Sequence, residues 1–226
     1  MNRKIYDRLQ ALIKSCPQMM ANPQALKTLV NSTFDVEIEN TVYSSVLDLS
    51  YEVDKLTLER YFGKVWQPVT KKYKYSGLGI VDEINGFDDN LQVLDLGCGY
   101  NEFKGKINNL TGVDPYNKRA DIKSDIMSYE PENLYDVLIS FGIINFGSAD
   151  KIILEMIKAT SFVKPGGLMY HRVNPGKMHD KPEAQWIDFF NWTPEFISNL
   201  APVLGVTVIT IKQDGERLFF LLRKKT

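Results

Sequence analysis

Residues 93–101 read VLDLGCGYN, a short apolar run that leads into an aspartate and a turn with two glycines. Glycine permits positive φ and puts no side chain between the main chain and a ligand, so a nucleotide or an amino acid can lie directly against Gly97 and Gly99. Asp95 stands where its carboxylate can bind a cationic group. The stretch therefore predicts a strand that ends in a ligand-binding turn.

A second acidic residue, Asp114, ends the next apolar run, nineteen residues after Asp95. In dinucleotide-binding βαβ units a carboxylate at this position accepts hydrogen bonds from ribose hydroxyls. We expect the two acids to hold opposite ends of an adenosine-containing ligand. Because Pro115 follows, Asp114 also has an alternative interpretation, as a residue that caps a turn.

Outward from this stretch, short apolar runs alternate with amphipathic ones, which is the pattern of βαβ units. Helices are predicted in the gaps between strands, most clearly over residues 150–162, and another follows Thr193. Residues 206–211 and 218–222 flank an Asp-Gly turn and predict a hairpin. The remaining predicted strands are residues 91–95, 110–114, 120–123, 135–141 and 166–173.

Before residue 91 the pattern is different, because apolar residues recur at helical spacing in residues 3–15, 23–30 and 49–66. We therefore predict two parts: a helical N-terminal extension over residues 1–90 and an α/β domain over residues 91–226.

Length and composition restrict the class of protein. A chain of 226 residues suffices for one α/β core with an appendage. With 27 basic and 28 acidic residues, its net charge of −1 creates no overall field that attracts nucleic acid, although a local basic patch stays open. There is no membrane-length apolar run and no secretory signal pattern, and Cys16 and Cys98 have no metal-ligand spacing. These features predict a cytoplasmic protein that has no membrane segment and binds no metal.

Residues 95–99 match, residue for residue, the start of the first motif of the class I (Rossmann-like) S-adenosylmethionine-dependent methyltransferases, Asp/Glu-x-Gly-x-Gly-x-Gly. Residues 93–173 resemble that family in the order of their motifs. The resemblance implies a three-layer α/β sandwich around a seven-stranded, mostly parallel sheet. It also implies S-adenosylmethionine as the cofactor, held by Asp95, Gly97, Gly99 and Asp114, and methyl transfer to an acceptor.

Three further cofactor residues follow from the resemblance. Asp125 and Ile126 occupy the positions that face the adenine amino group and ring, and Phe141 ends the strand that borders the cofactor. Asp121, four residues before Asp125, is an alternative for the acid on the adenine side.

The chain departs from the family pattern at two points. Asn101 stands where the third glycine usually is, and the short interval between Gly99 and the second strand requires a short or distorted helix. These departures keep open a different class of protein, a non-catalytic interaction or assembly module with a degenerate cofactor site. A nicotinamide-dependent oxidoreductase is disfavoured, because Glu102 replaces the last glycine of its Gly-x-Gly-x-x-Gly fingerprint.

The family places its acceptor over residues that correspond to 142–147 and 172–181. His171 is the candidate general base, since an imidazole titrates near neutral pH, and its alternative is a hydrogen-bonded residue of the sheet. The sequence lacks the motifs of DNA base methylation, Asn/Asp-Pro-Pro-Tyr/Phe and a Pro-Cys nucleophile, so a small molecule, a protein or RNA remains as the acceptor. The other polar residues of these segments are Asn145, Arg172, Asn174 and His179.

Residues 71–75, KKYKY, interleave cations with aromatic rings. Such a composition can contact a phosphate backbone and stack on bases, and a solvated connector is the alternative.

Overall fold

The computed structural model describes residues 1–40, 42–66, 76–174 and 182–226. These residues form two compact units. The described part of the first unit is residues 1–66, without Thr41, and 182–188; that of the second is residues 76–174 and 189–226. Residues 76–90, predicted as part of the helical extension, thus pack within the second unit. The KKYKY segment and His179 lie outside the described residues.

The described residues of the first unit contain three α-helices. Each begins at a side chain that accepts a hydrogen bond from an amide of the first turn, Asn2, Asn22 and Ser45 respectively. A π-helical turn, Tyr61–Val65, extends the third. The helices are α1 (Arg3–Ser15), α2 (Pro23–Phe34) and α3 (Val46–Arg60).

Apolar side chains at helical spacing form the core of this unit, and residues 182–188 belong to it. Trp186 packs against Phe34, with 4.8 Å between the ring centroids. The Asn2 side chain donates to the Trp186 carbonyl oxygen at 2.7 Å, and Lys4 Nζ donates to that of Ile187 at 3.0 Å. The segment is therefore fixed to the start of α1.

The second unit is built on a mixed sheet that has six strands in the described part of the chain, in the order β2-β1-β3-β4-β6-β5. The first four strands in the chain are parallel, and β6 is antiparallel to both of its neighbours. The strands are β1 (Val93–Leu96), β2 (Leu110–Val113), β3 (Tyr135–Phe141), β4 (Val163–Val173), β5 (Val206–Asp214) and β6 (Arg217–Lys224).

The prediction of seven strands is wrong, because the strand expected over residues 120–123 is reduced to one bridge between Val113 and Ile122. Asp114 N donates to Ile122 O, and the amides of both Asp121 and Ile122 donate to the single acceptor Gly112 O. In a parallel ladder successive amides do not share one acceptor, so this pattern is not that of a strand and the pairing is confined to the single bridge.

Helices cover one face of the sheet more fully than the other. On one face lie α5 (Ala149–Ser161) and α6 (Pro194–Leu204), which share a core cluster with the strands. The cluster on the other face draws on α4 (Val81–Asn85), the 3₁₀ turn Ser76–Ile80 before it, and the turns of residues 97–109. In the described residues no helix is long and apolar enough to cross a membrane.

The helices predicted between β1 and β2 and between β2 and β3 do not form. Between β1 and β2, five residues have positive φ, which interrupts a right-handed helix: Gly97, Gly99, Asn101, Gly105 and Asn109. Fully buried Phe103 covers the sheet there instead. The hairpin between β5 and β6 forms as predicted, but its two turn residues are Gly215 and Glu216, one position later than expected.

Candidate functional site

The carboxyl ends of four parallel strands meet at one edge of the sheet. The strand order reverses at β1, which lies between β2 and β3, and a crevice at such a switch point is the usual ligand site of open α/β sheets. The segments that follow β1 and β3, residues 97–101 and 142–147, flank this crevice.

The glycine turn is folded tightly onto the end of β2. The amides of Gly97 and Cys98 both donate to Val113 O, at 2.7 and 3.1 Å. Gly97 has φ +72°, and a Cβ at this position would lie 2.4 Å from the side chain of Ile143, so only glycine fits. At Gly99, with φ +52°, no described atom lies within 4 Å of the position that a Cβ would take.

The carboxylate of Asp114 joins the glycine turn to its own loop. Its Oδ2 accepts from Gly99 N at 3.0 Å, and Oδ1 accepts from the amides of Tyr116 and Asn117, both at 2.8 Å. Asp114 therefore does cap a turn, as its position before Pro115 also indicates. A carboxylate can accept about four hydrogen bonds, so the three amides leave capacity for a ligand.

Asp95 is the most perturbed acid of the site. It is 2% exposed, and this burial, together with the nearby negative charge of Asp114, raises its pKa to about 8. A buried carboxyl of this kind ionises readily only when a cation lies beside it. Burial also raises the pKa of the Cys98 thiol, which makes a thiolate nucleophile unfavourable there.

Asp125 and Ile126 lie in a turn between β2 and β3, separate from the turns at the glycines and at Asp114. Asp125 Oδ1 accepts from the amides of Met127 and Ser128 at 2.9 Å, and Oδ2 accepts from Ser128 Oγ at 2.9 Å. Partial burial raises the pKa of this carboxyl, but the hydrogen bonds outweigh that effect and the net pKa is lowered. The Ile126 side chain is buried in the core on the α5–α6 face.

Phe141 belongs to the opposite face of the sheet. It is half-buried and packs against Phe103 and Phe219, with ring centroids 6.0 and 6.1 Å away. The Arg172 guanidinium carbon lies 4.7 Å from the Phe141 ring centroid, which is cation–π geometry. A cation and an aromatic ring thus meet where β3 and β4 end.

His171 is buried in the sheet rather than placed at a solvated edge. It is 1% exposed and stacks on Phe220, with centroids 4.8 Å apart and planes 15° apart. Burial lowers its pKa to about 3, so the imidazole is neutral at physiological pH and a weak base. Its Nε2 and the buried Oδ1 of Asn145 have no hydrogen-bond partner among the described residues.

Two site features have no motif in the sequence. Ile143, whose side chain lies against Gly97, follows Gly142 in an apolar stretch that gave no signal of this contact. The Tyr170 hydroxyl donates to Glu83 Oε1 at 2.6 Å and joins α4 to β4. Because the partners are 87 residues apart, only the folded chain brings them together.

No protein-family model matches the chain, and no curated protein matches it. Solved structures do match. The 1,6-didemethyltoxoflavin-N1-methyltransferase of Burkholderia thailandensis, with bound 1,6-didemethyltoxoflavin and S-adenosylhomocysteine, has 14% identity and a TM-score of 0.59, over 84% of this chain and 95% of that one. The N-methyltransferase NodS of Bradyrhizobium japonicum WM9, in complex with S-adenosylhomocysteine, has 14% identity and a TM-score of 0.56, over 75% and 97%.

A third match is magnesium protoporphyrin IX methyltransferase (ChlM) of Synechocystis PCC 6803 with bound S-adenosylmethionine, at 13% identity and a TM-score of 0.55, over 76% of this chain and 97% of that one. At identities this low, structural similarity shows the fold alone. The six-stranded mixed sheet, its strand order and these matches agree: the chain has the fold of the class I S-adenosylmethionine-dependent methyltransferases.

Proposed function

We propose that this chain is an S-adenosylmethionine-dependent methyltransferase. The observation that carries the proposal is the contiguous group at the switch point: the Asp95 carboxyl, the glycine turn with open space over Gly99, and the Asp114 carboxylate that accepts from the Gly99 amide. The residues of this group, Asp95, Gly97, Gly99 and Asp114, are the ones that the resemblance assigns to the cofactor.

The residues fit this cofactor in charge and in shape. A carboxyl with a raised pKa, as at Asp95, is stabilised in its ionised form by an ammonium or sulfonium cation. Asp114 retains capacity to accept from ribose hydroxyls. At both Gly99 and Gly142, positive φ coincides with open space, which lets a ligand approach the main chain closely.

Each residue has a distinct part in the proposed mechanism. Bound S-adenosylmethionine supplies a methyl group already activated on a sulfonium, so the protein has mainly to align the acceptor. Asp95 holds the cationic end and Asp114 the ribose. The capped turn would border the adenine through Asp125 and through the main chain of Ile126, whose side chain is in the core, and Phe141 would border the cofactor from the end of β3.

His171 remains our candidate for proton removal from the acceptor. Its unpartnered Nε2 supports this role, whereas its burial and its pKa of about 3 make it a weak base. A dedicated base is dispensable when the acceptor loses its proton readily. The acceptor itself is a small molecule, a protein or RNA.

The rival proposal is a non-catalytic module that keeps the shell of this fold. The missing helix after β1 favours it. The two proposals differ in one measurable property, because a degenerate module does not bind the cofactor.

Calorimetric titration with S-adenosylmethionine and S-adenosylhomocysteine tests the proposal. We expect the wild-type protein to bind both, and Asp114→Asn and Asp114→Ala to raise Kd at least about tenfold, since a hydrogen bond to a charged group contributes about 1.5–3 kcal/mol. Asp136→Ala is the matched control, because Asp136 pairs with Lys164 at the start of β3, on the opposite edge of the sheet. Folded wild-type protein that binds neither ligand would establish the rival.

A further inference from the structure

Asn101 lies at the centre of a hydrogen-bonded cluster beside the glycine turn. We name its four members, Asn101, Lys104, Gly112 and Asp121, the Asn101 cluster. We propose that Asn101 is a positioning residue for the cofactor: in place of the absent helix after β1, it fixes the glycine turn at the distance from β2 that lets Asp114 reach Gly99. This inference rests on the proposed function.

The backbone of Asn101 is in the left-handed region, with φ +55°. Among non-glycine residues, asparagine adopts this conformation most readily, so it can replace a glycine here. The Asn101 amide donates to Cys98 O at 2.8 Å, which closes the turn. The conformation is therefore that of a glycine, but with a side chain added.

That side chain ties the turn to the segment after β2. Asn101 Nδ2 donates to Arg119 O at 2.8 Å and approaches Asp121 Oδ2 at 3.5 Å. The same Asp121 oxygen accepts from Lys104 Nζ and from Gly112 N, both at 2.8 Å. Partial burial raises the pKa of the Asp121 carboxyl, but these hydrogen bonds and the charge of Lys104 lower it by more. The net pKa is lowered, so Asp121 is ionised.

The Asn101 carboxamide also occupies the space in β2 that a side chain at position 112 would take. A Cβ at Gly112 would lie 2.6 Å from Asn101 Oδ1 and 2.9 Å from Cγ, so this contact requires glycine at position 112. In the described part of the chain, Oδ1 has no hydrogen-bond partner although it is buried. Because an unpaired buried oxygen is unfavourable for folding, the contact is better explained by positioning than by stability.

The Asn101 cluster adjoins the hydrogen bond between Gly99 and Asp114, two of the residues proposed to hold the cofactor. Gly99 precedes Asn101 by two residues, Asp114 follows Gly112 by two, and Gly99 N donates to Asp114 Oδ2 at 3.0 Å. The Asn101–Gly112 contact and the Gly99–Asp114 bond are thus parallel links between the same two segments. After loss of the first, the part of the turn beyond Cys98 is joined to the end of β2 through the Gly99–Asp114 bond, while the amides of Gly97 and Cys98 stay bound to Val113 O.

The test compares two asparagine-to-glycine variants that both keep a positive φ. Asn101→Gly removes the side chain of interest. Asn109→Gly is the matched control, because Asn109 has φ +50° and its Nδ2 donates to Asp89 O and Leu91 O at the other end of β2. We expect Asn101→Gly to raise the Kd for S-adenosylhomocysteine about tenfold and Asn109→Gly to leave it within about twofold.

A second readout needs no ligand. Hydrogen exchange of the Gly99 amide, followed by NMR, is expected to accelerate in Asn101→Gly and to stay unchanged in Asn109→Gly. Gly112→Ala completes a double-mutant cycle: it should weaken binding in the wild type, where the new Cβ displaces the Asn101 carboxamide, and have little further effect in Asn101→Gly.

The outcomes separate the two proposals. Unchanged Gly99 exchange and unchanged Kd in Asn101→Gly overturn the positioning role, as does equal weakening by Asn109→Gly. Wild-type protein that binds no S-adenosylhomocysteine overturns the proposed function, and the Gly99 exchange rates still decide whether Asn101 fixes the turn.

Discussion

At the scale of single residues, the ionisation of Asp95 links the fold to the proposed chemistry. Its pKa of about 8 keeps the carboxyl mostly protonated at pH 7 in the free protein. A cationic ligand beside it stabilises the carboxylate and so lowers that pKa. Binding of a cationic cofactor must therefore release a proton.

We expect cofactor binding at pH 7 to release up to about one proton per site. Calorimetric titration in buffers of different ionisation enthalpy measures this number, because the observed enthalpy then changes from buffer to buffer. Asp95→Asn has no proton to release and serves as the comparison. Binding enthalpies of the wild type that are the same in all buffers would contradict a protonated Asp95 that meets the cation, and the pH profile of stability described below then distinguishes an Asp95 already ionised in the free protein from a cation that lies elsewhere.

The two glycines of the turn should respond differently to alanine. Gly97→Ala meets both a left-handed backbone and the Ile143 side chain, whereas Gly99→Ala meets only the backbone cost of about 1–2 kcal/mol. We expect Gly97→Ala to lower the melting temperature more, and Gly99→Ala to weaken cofactor binding out of proportion to its stability loss, because its methyl group enters the ligand space. Thermal unfolding paired with titration checks both; equal stability losses would contradict this assignment of the space.

At the scale of elements, the sequence predicts those whose signal is local. The apolar runs of β1 and β3 and the helical spacing of α5 lie within one or two residues of their observed bounds. The start of β4 is less regular, because the ladder shifts register between Tyr135 and Val137 where Lys164–Gly167 follows Val163. Local pattern cannot reveal such a shift, since it depends on the neighbouring strand.

The same limit applies to the candidate site. The motif spacing brings Asp95, Gly97, Gly99 and Asp114 together, because a strand–turn–strand unit fixes their separation. The contact of Asn101 with Gly112 has no such signature, since neither residue type indicates the other. The absence of the helix between β1 and β2 has a related reason: positive φ at asparagine depends on the contacts made by its side chain, as at Asn101, and the sequence does not reveal those contacts.

Lys224 connects three elements and offers a test at this scale. Its Nζ donates to Thr160 O, near the end of α5, at 3.1 Å and to Val163 O, at the start of β4, at 2.7 Å. A cation at a helix C-terminus is favourable in addition to these bonds. We expect Lys224→Met to lower the free energy of unfolding by about 1–2 kcal/mol, whereas Lys225→Met, at an exposed neighbouring position, changes it by less than about 0.5 kcal/mol. Urea unfolding measures both; equal effects would refute a specific role of Lys224.

At the scale of the whole molecule, two fully buried groups of the second unit make its stability depend on pH in opposite ways. The pKa of Asp95 is raised from its ordinary value of 3.8 to about 8, so the folded state keeps a proton that the unfolded state loses. Stability therefore falls as pH rises from about 4 to about 8. The pKa of His171 is lowered from 6.5 to about 3, so here the unfolded state takes up the proton first, and stability falls as pH drops below about 6.5.

The sum of the two effects gives a specific profile. Between about pH 4 and 6.5 the effects of Asp95 and His171 on stability oppose each other, so their joint contribution is nearly constant. Above pH 6.5 only Asp95 titrates, and stability declines towards pH 8 by at most about 1.36 kcal/mol per pH unit.

Asp95→Asn should abolish the decline above pH 6.5 and reveal the decline on acidification that His171 causes. His171→Gln should do the reverse and make stability rise as pH falls from 6.5 to 4. Urea unfolding of the three proteins from pH 4 to 8.5 gives these differences directly. Parallel profiles for the wild type and Asp95→Asn would mean that Asp95 is ionised in the folded protein, and the proton release predicted for cofactor binding would then be lost as well.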